Sequence, residues 1–189
     1  MKSRILTLSI IICCLLFTNC KNGEVNNKYC NLPARLHIEN VLQAPTVLLP
    51  ACESMGEYCT ITLSSDGQRF VFTNAAGKTD LINILAISSY NGYYLGLCGF
   101  IVGLLEIPEQ GEDYVHVVCY DLACSNCYKE KSITKPLLLQ TGGYAKCQSC
   151  GRTYSLNEQG NVTAAGPAGR PLYRYRVNYI NRTLYINNG

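Results

Sequence analysis

Four cysteines constrain this chain more than any other feature. Cys124-Ser-Asn-Cys127 is followed, nineteen residues on, by Cys147-Gln-Ser-Cys150-Gly151. A Cys-x2-Cys turn sets two sulfurs at the separation one tetrahedral ion requires, and two such turns complete a four-thiolate shell. Gly151, directly after the second pair, suits a knuckle whose backbone turns tightly beneath a sulfur. The spacing therefore points to Cys124, Cys127, Cys147 and Cys150 as metal or cofactor ligands. It leaves the metal open, and two disulfides are the competing use of the same residues, because exported cysteines usually pair.

Export is itself read from the N-terminus. Lys2 and Arg4 precede an apolar run from Ile5 to Phe17, which is short of the roughly 20 residues of a membrane span and reads as a signal-peptide core. Leu16-Phe17-Thr18-Asn19-Cys20 resembles a bacterial lipobox, with Asn19 departing from the usual small residue. That resemblance implies a signal peptide over 1–19, lipidation at Cys20, a membrane partner through the lipid, and a cell-envelope location at the outer membrane or periplasmic face. Residues 21–31 are polar and Asn-rich, so 20–31 is expected to be a flexible tether. Outside the four-cysteine motif the mature chain keeps Cys30, Cys52, Cys59, Cys98 and Cys119. An odd number cannot pair fully; Cys52 with Cys59, and Cys98 with Cys119, are the candidate pairs.

From Leu32 onward the chain reads as short strands separated by turns. Leu32 to Ile38 alternates, with Pro33 suggesting an edge and His37 a surface position. Val47 to Pro50 is a short apolar run and Cys52 to Glu57 a loop. Tyr58 to Leu63 and Gln68 to Thr73 flank Ser-Ser-Asp66-Gly67, a hairpin signature. Leu81 to Ile87 fits strand or short helix equally. Asn91-Gly92 introduces Tyr93 to Leu97 and Phe100 to Leu105. Tyr114 to Cys119 leads into the first cysteine pair with His116 pointing away from the core. Leu137 to Leu139 and Thr153 to Leu156 are short strands around the motif, Gly142-Gly143 turns into Tyr144 to Cys147, and Thr183 to Asn187 closes the chain. Leu172 to Tyr179 alternates as one strand, with Tyr173, Tyr175, Val177 and Tyr179 on one face and Arg174, Arg176 and Asn178 on a solvated one. With 16 glycines, 14 tyrosines and no tryptophan, the expectation is an all-β, antiparallel sandwich over 32–189 with a metal-binding subdomain of two cysteine knuckles at about 117–156.

The second cysteine pair and the residues after it carry a further resemblance. Cys147-Gln-Ser-Cys150-Gly151-Arg152-Thr153-Tyr154, Gly160-Asn161-Val162, the loop Gly166-Pro167-Ala168-Gly169-Arg170-Pro171 and an alternating last strand resemble the second half of a Rieske domain, over roughly Val115 to Asn187. The resemblance implies two ligand loops that clamp a [2Fe-2S] cluster beneath a Pro-rich covering loop. Cys124 and Cys147 would stand at the cysteine positions, Cys150 at the second histidine position and Cys127 near the first. Neither box holds a histidine, so the mixed His and Cys ligation of Rieske electron transfer is not carried over.

Four thiolates accept zinc, a single iron or a low-potential [2Fe-2S] cluster. Lys2-Ser3-Arg4 lacks the arginine pair that would export a folded, loaded protein, which favours zinc or disulfides over an iron-sulfur centre. The expectation is a non-catalytic envelope lipoprotein with a structural zinc and an envelope protein as candidate partner; an iron or [2Fe-2S] electron carrier is the alternative. Catalytic residues are not found: two histidines, no Ser-His-Asp grouping, no HExxH and no phosphate loop leave no hydrolase or transferase. A net charge of +3 without clustered basic and aromatic residues gives no nucleic-acid partner. Thiol exchange at Cys124-x2-Cys127 would need the pair to open a helix, and here it follows a strand.

Overall fold

A computed structural model describes residues 28–39, 41, 47–87 and 92–188. The signal peptide, Cys20, most of the expected tether and Asn91 lie outside the described residues. Among the described residues no helix is long and apolar enough to cross a membrane.

The chain is built mainly of antiparallel strands. Six of them form the central sheet, in the order β12-β7-β6-β2-β3-β4, with β2 at Tyr58–Leu63, β3 at Arg69–Asn74, β4 at Thr79–Asn83, β6 at Phe100–Leu104, β7 at Val117–Asp121 and β12 at Arg174–Tyr175. The β2–β3 hairpin forms where Asp66-Gly67 requires it: Gly67 takes φ +68° and the Asp66 carboxylate accepts the Gln68 amide at 3.0 Å. Its register sets Ile61 opposite Phe72 on one buried face. Leu81 to Ile87 divides between the two readings open to it, into β4 and a single helical turn, α2, at Ile84–Ile87.

One four-stranded sheet packs on each side of the central one. On one side lie β1 (Ala34–Ile38), β5 (Tyr94–Leu95), β13 (Val177–Ile180) and β14 (Thr183–Asn187), in the order β13-β14-β1-β5. Leu36, Ile38, Leu184 and Ile186 of this sheet share a core with Ile61, Phe72, Phe100, Val102 and Cys119 of the central sheet and with Leu48 of α1, a helix at Leu48–Glu53. On the other side lie β8 (Leu138–Gln140), β9 (Tyr144–Lys146), β10 (Thr153–Ser155) and β11 (Asn161–Val162), in the order β11-β10-β9-β8. They bury Leu139, Ala145 and Tyr154 against Tyr58, Ile101, Val118 and Tyr120. The molecule thus has three sheet layers and two cores, where a two-sheet sandwich was expected. β6 explains why: Phe100, Ile101 and Val102 are all buried, a run with no polar face to give to water.

Close contact between layers depends on Gly103. A Cβ there would come within 2.1 Å of the Tyr58 ring, so only glycine lets that ring lie across β6. The Tyr58 hydroxyl then donates to Asn157 Oδ1 at 2.6 Å and joins the central sheet to the small one.

Several expectations are corrected. Leu48–Glu53 is a helix, where an apolar run and a loop were expected. β1 is flanked by β14 and β5 and is no edge strand; Pro33 precedes it, outside the ladder. His37 is mostly covered, its ring stacked on Tyr185 at 4.3 Å. The expected single strand from Leu172 to Tyr179 is two strands in different sheets, so its alternation breaks and Arg174 is buried. Residues 28–31 are docked rather than part of a free tether: Lys28 Nζ lies 2.7 Å from Glu109, Tyr29 lies beneath the guanidinium groups of Arg174 and Arg176, and the Cys30 amide donates to the Arg174 carbonyl at 2.9 Å.

Candidate metal centre

The first pair is delivered by β7. All five of its residues are buried, and its last, Asp121, fixes the turn into the cysteine loop. The Asp121 carboxylate accepts the Ala123 amide at 2.7 Å, the Leu97 amide at 2.8 Å and the Tyr175 hydroxyl. Burial nevertheless pushes this carboxyl above its ordinary range. The chain then reaches Cys124, held by a bond from its amide to the Lys135 carbonyl at 2.8 Å. Cys124 is the N-cap of α3, Ser125–Lys131, and its sulfur accepts the Cys127 amide at 3.5 Å. The pair therefore does open a helix, against expectation: with Ser125 and Asn126 buried behind Cys124, the chain turns inward at once instead of extending the strand.

The second pair is the turn between β9 and β10. The Cys147 amide donates to the Arg152 carbonyl at 2.9 Å and the Gly151 amide to the Cys147 carbonyl at 2.9 Å. Gly151 takes φ +74°, the left-handed conformation that such a knuckle demands.

These two turns bring Cys124, Cys127, Cys147 and Cys150 together, with all four Sγ atoms within 4.8 Å of one another. Two contacts cross between knuckles: Cys124 to Cys150 at 3.6 Å and Cys127 to Cys147 at 3.7 Å. None is a disulfide, and all nine described cysteines are free thiols. Cys124, Cys127 and Cys147 are fully buried; Cys150 is partly exposed.

Burial opposes negative charge on these sulfurs, raising Cys124 and Cys127, and nearby donors offset it in part. The Tyr154 hydroxyl donates to Cys124 Sγ at 3.0 Å and receives the Asn126 Nδ2 donor at 2.9 Å. Burial pushes the Cys127 thiol up to about 12, and the neighbouring thiols add to the rise. Cys150 moves the other way. Burial raises it, but the Arg152 amide and guanidinium and the Cys124 and Cys147 thiols outweigh burial and bring it down to about 7. Deprotonating crowded, buried thiols is costly, and one divalent cation offsets that cost as it displaces the protons.

Two side chains hold the covering loop, 166–171, over the pair. Asn126 donates to the Arg170 carbonyl at 3.0 Å and accepts the Arg170 amide at 3.0 Å. Arg152 donates from Nε to the Ala168 carbonyl at 3.0 Å and lies 3.0 Å from Glu130 of α3. Gly169 is squeezed between them, since a Cβ would stand 2.6 Å from Asn126 Oδ1 and 2.8 Å from Arg152 Nε. The sequence alone assigns no role to Asn126, Arg152, Tyr154 or Asp121, although Asn126 lies inside the first motif and Arg152 and Tyr154 come directly after the second.

The remaining expectations fall outside this centre. Cys52 and Cys59 share the larger core as free thiols, and Cys98 and Cys119 pack on opposite faces of the central sheet, so the second candidate pair is out of reach. His116 meets charged groups, its Nε2 3.2 Å from both Glu109 and Arg174, in an ion-pair group separate from the four cysteines. Compared with protein-family models, with curated proteins and with solved structures, the chain has no match.

Proposed function

We propose that this chain is a cell-envelope lipoprotein whose Rieske-like β domain holds one structural zinc ion on Cys124, Cys127, Cys147 and Cys150, in a non-catalytic role toward an envelope protein partner. The observation that carries the metal reading is the grouping of the four sulfurs. Zinc-sulfur bonds of about 2.3 Å give a tetrahedral edge of about 3.8 Å, and the separations across the two knuckles, Cys124 to Cys150 and Cys127 to Cys147, are 3.6 and 3.7 Å. No separation exceeds 4.8 Å, which suits one ion. A [2Fe-2S] cluster would divide the thiolates between two irons and spread them apart. Full burial of three ligands suits an ion that keeps its shell closed.

Support for the rest is of a different kind. The Rieske-like reading rests on two cysteine turns, one after β7 and one between β9 and β10 of the small sheet, both tied to the loop 166–171, and the lipoprotein reading on Cys20 after an apolar leader. A single iron would sit in the same four-thiolate geometry, and the partly exposed Cys150 is the side through which it could pass an electron.

Cobalt titration of the metal-free protein tests the site. The expected result is a tetrahedral four-thiolate spectrum complete at one equivalent and abolished by Cys147→Ser. An endpoint at two equivalents, or a spectrum untouched by Cys147→Ser, would sink it.

A further inference from the structure

Lys28 is where the described chain begins its hold on the domain, and Cys20 is only eight residues before it. Whatever path they take, eight residues span at most about 29 Å. A domain of roughly 160 residues is about 40 Å across. A lipid on Cys20 therefore excludes orientations that turn the Lys28 side fully away from the bilayer.

The surface there suits that neighbour. Beside Lys28 runs an open groove of about 540 Å3, lined among others by Tyr29, Glu112, Tyr114, Asn178 and Ile180. Tyr114 is 69% and Ile180 59% exposed, large side chains mostly open to solvent. Tyr at a headgroup interface buries its ring and keeps its hydroxyl wet. Charge does not choose the partner, because Lys28 and Glu112 of this groove lie 4.0 Å apart and offset one another.

We propose, resting on the lipid-anchor reading above, that this face is a bilayer contact surface, with Tyr114 and Ile180 at the level of the headgroups. The four motif cysteines do not line this groove. His116, which meets Glu109 beside Lys28, precedes β7, and Cys124 lies past its far end, so at least the length of β7, roughly 16 Å, separates them.

The absence of tryptophan makes a clean test. Tyr114→Trp and Leu85→Trp would each give one reporter. Leu85 is 88% exposed, more than Tyr114, but comes just after β4, the edge of the central sheet opposite β12. Five strand spacings, about 24 Å, lie between those edges. The full-length chain, expressed with its own leader in a bacterial host, is reconstituted in phosphatidylcholine vesicles with and without brominated acyl chains. Flotation is read first: the protein should float and Cys20→Ala should not. Brominated lipid should then lower Tyr114→Trp emission about twofold or more and leave Leu85→Trp nearly unchanged, at low and high salt alike. Failure to float would overturn both the anchor and the contact surface. Flotation with equal quenching of the two reporters, or none at Tyr114→Trp, would overturn the contact surface alone.

Discussion

Tyr154 and Asn126 show what single residues contribute around the sulfurs. Tyr154→Phe keeps the ring in its buried place but removes the donor to Cys124 and a partner of Asn126. A loss of about 1–3 kcal/mol is expected, by denaturant unfolding, together with a shifted thiolate-to-cobalt absorption. Glu109 makes a second prediction. Burial would raise its carboxyl, but Arg174 and Lys28 outweigh burial and hold it at about 2, against an ordinary 4.5. A depressed folded value means stability that is fully present above about 4.5 and lost as pH falls toward about 2, up to about 3 kcal/mol. Glu109→Gln should flatten that part of the pH profile and destabilise at neutral pH, since it leaves Arg174 buried without its counter-charge. An unchanged profile would contradict this. The four cysteines were readable because their spacing is local chemistry. Arg174 was not: it sat on an apparently solvated strand face, and only its long-range partner, Glu109, explains why a guanidinium can be buried there.

At the scale of elements, the loop 166–171 is held by two side chains and one missing methyl group. Gly169→Ala should clash with Asn126 and Arg152, cost about 1–3 kcal/mol and raise amide exchange in 166–171 while leaving β2 and β3 protected. Exchange no faster than in the parent would argue against the clip. The strands carrying strong local signals were found from sequence, the β2–β3 hairpin above all, because Asp66-Gly67 specifies its turn. Elements decided by distant partners were not. β12 and β13 share one alternating run, yet β12 pairs with β7 and β13 with β14, and no local pattern records a change of sheet. Likewise α3 is only seven residues long, too short for periodicity to announce, and starts because Cys124 caps it.

The whole molecule divides into two cores that share the central sheet. Among the described residues, no buried member of the larger core lies between Leu122 and Tyr173, whereas the smaller core contains Cys124, Cys127 and Cys147. Loss of the metal should therefore loosen β8–β11 and α3 first. Chelation is expected to expose that region to protease while most β-sheet circular dichroism persists; one concerted loss of all sheet signal would contradict the division. The mainly β, antiparallel character was legible in turn spacing and composition, but the third layer was not, since the sequence of β6 does not say what covers its second face. The most direct test of the central claim is metal content with an absorption spectrum, on the soluble chain beginning after Cys20 and purified without reductant. One zinc per chain, no iron and no visible band is the result the proposed zinc reading predicts. Iron with inorganic sulfide, or a metal-free protein with its four motif cysteines oxidised in pairs, would contradict it.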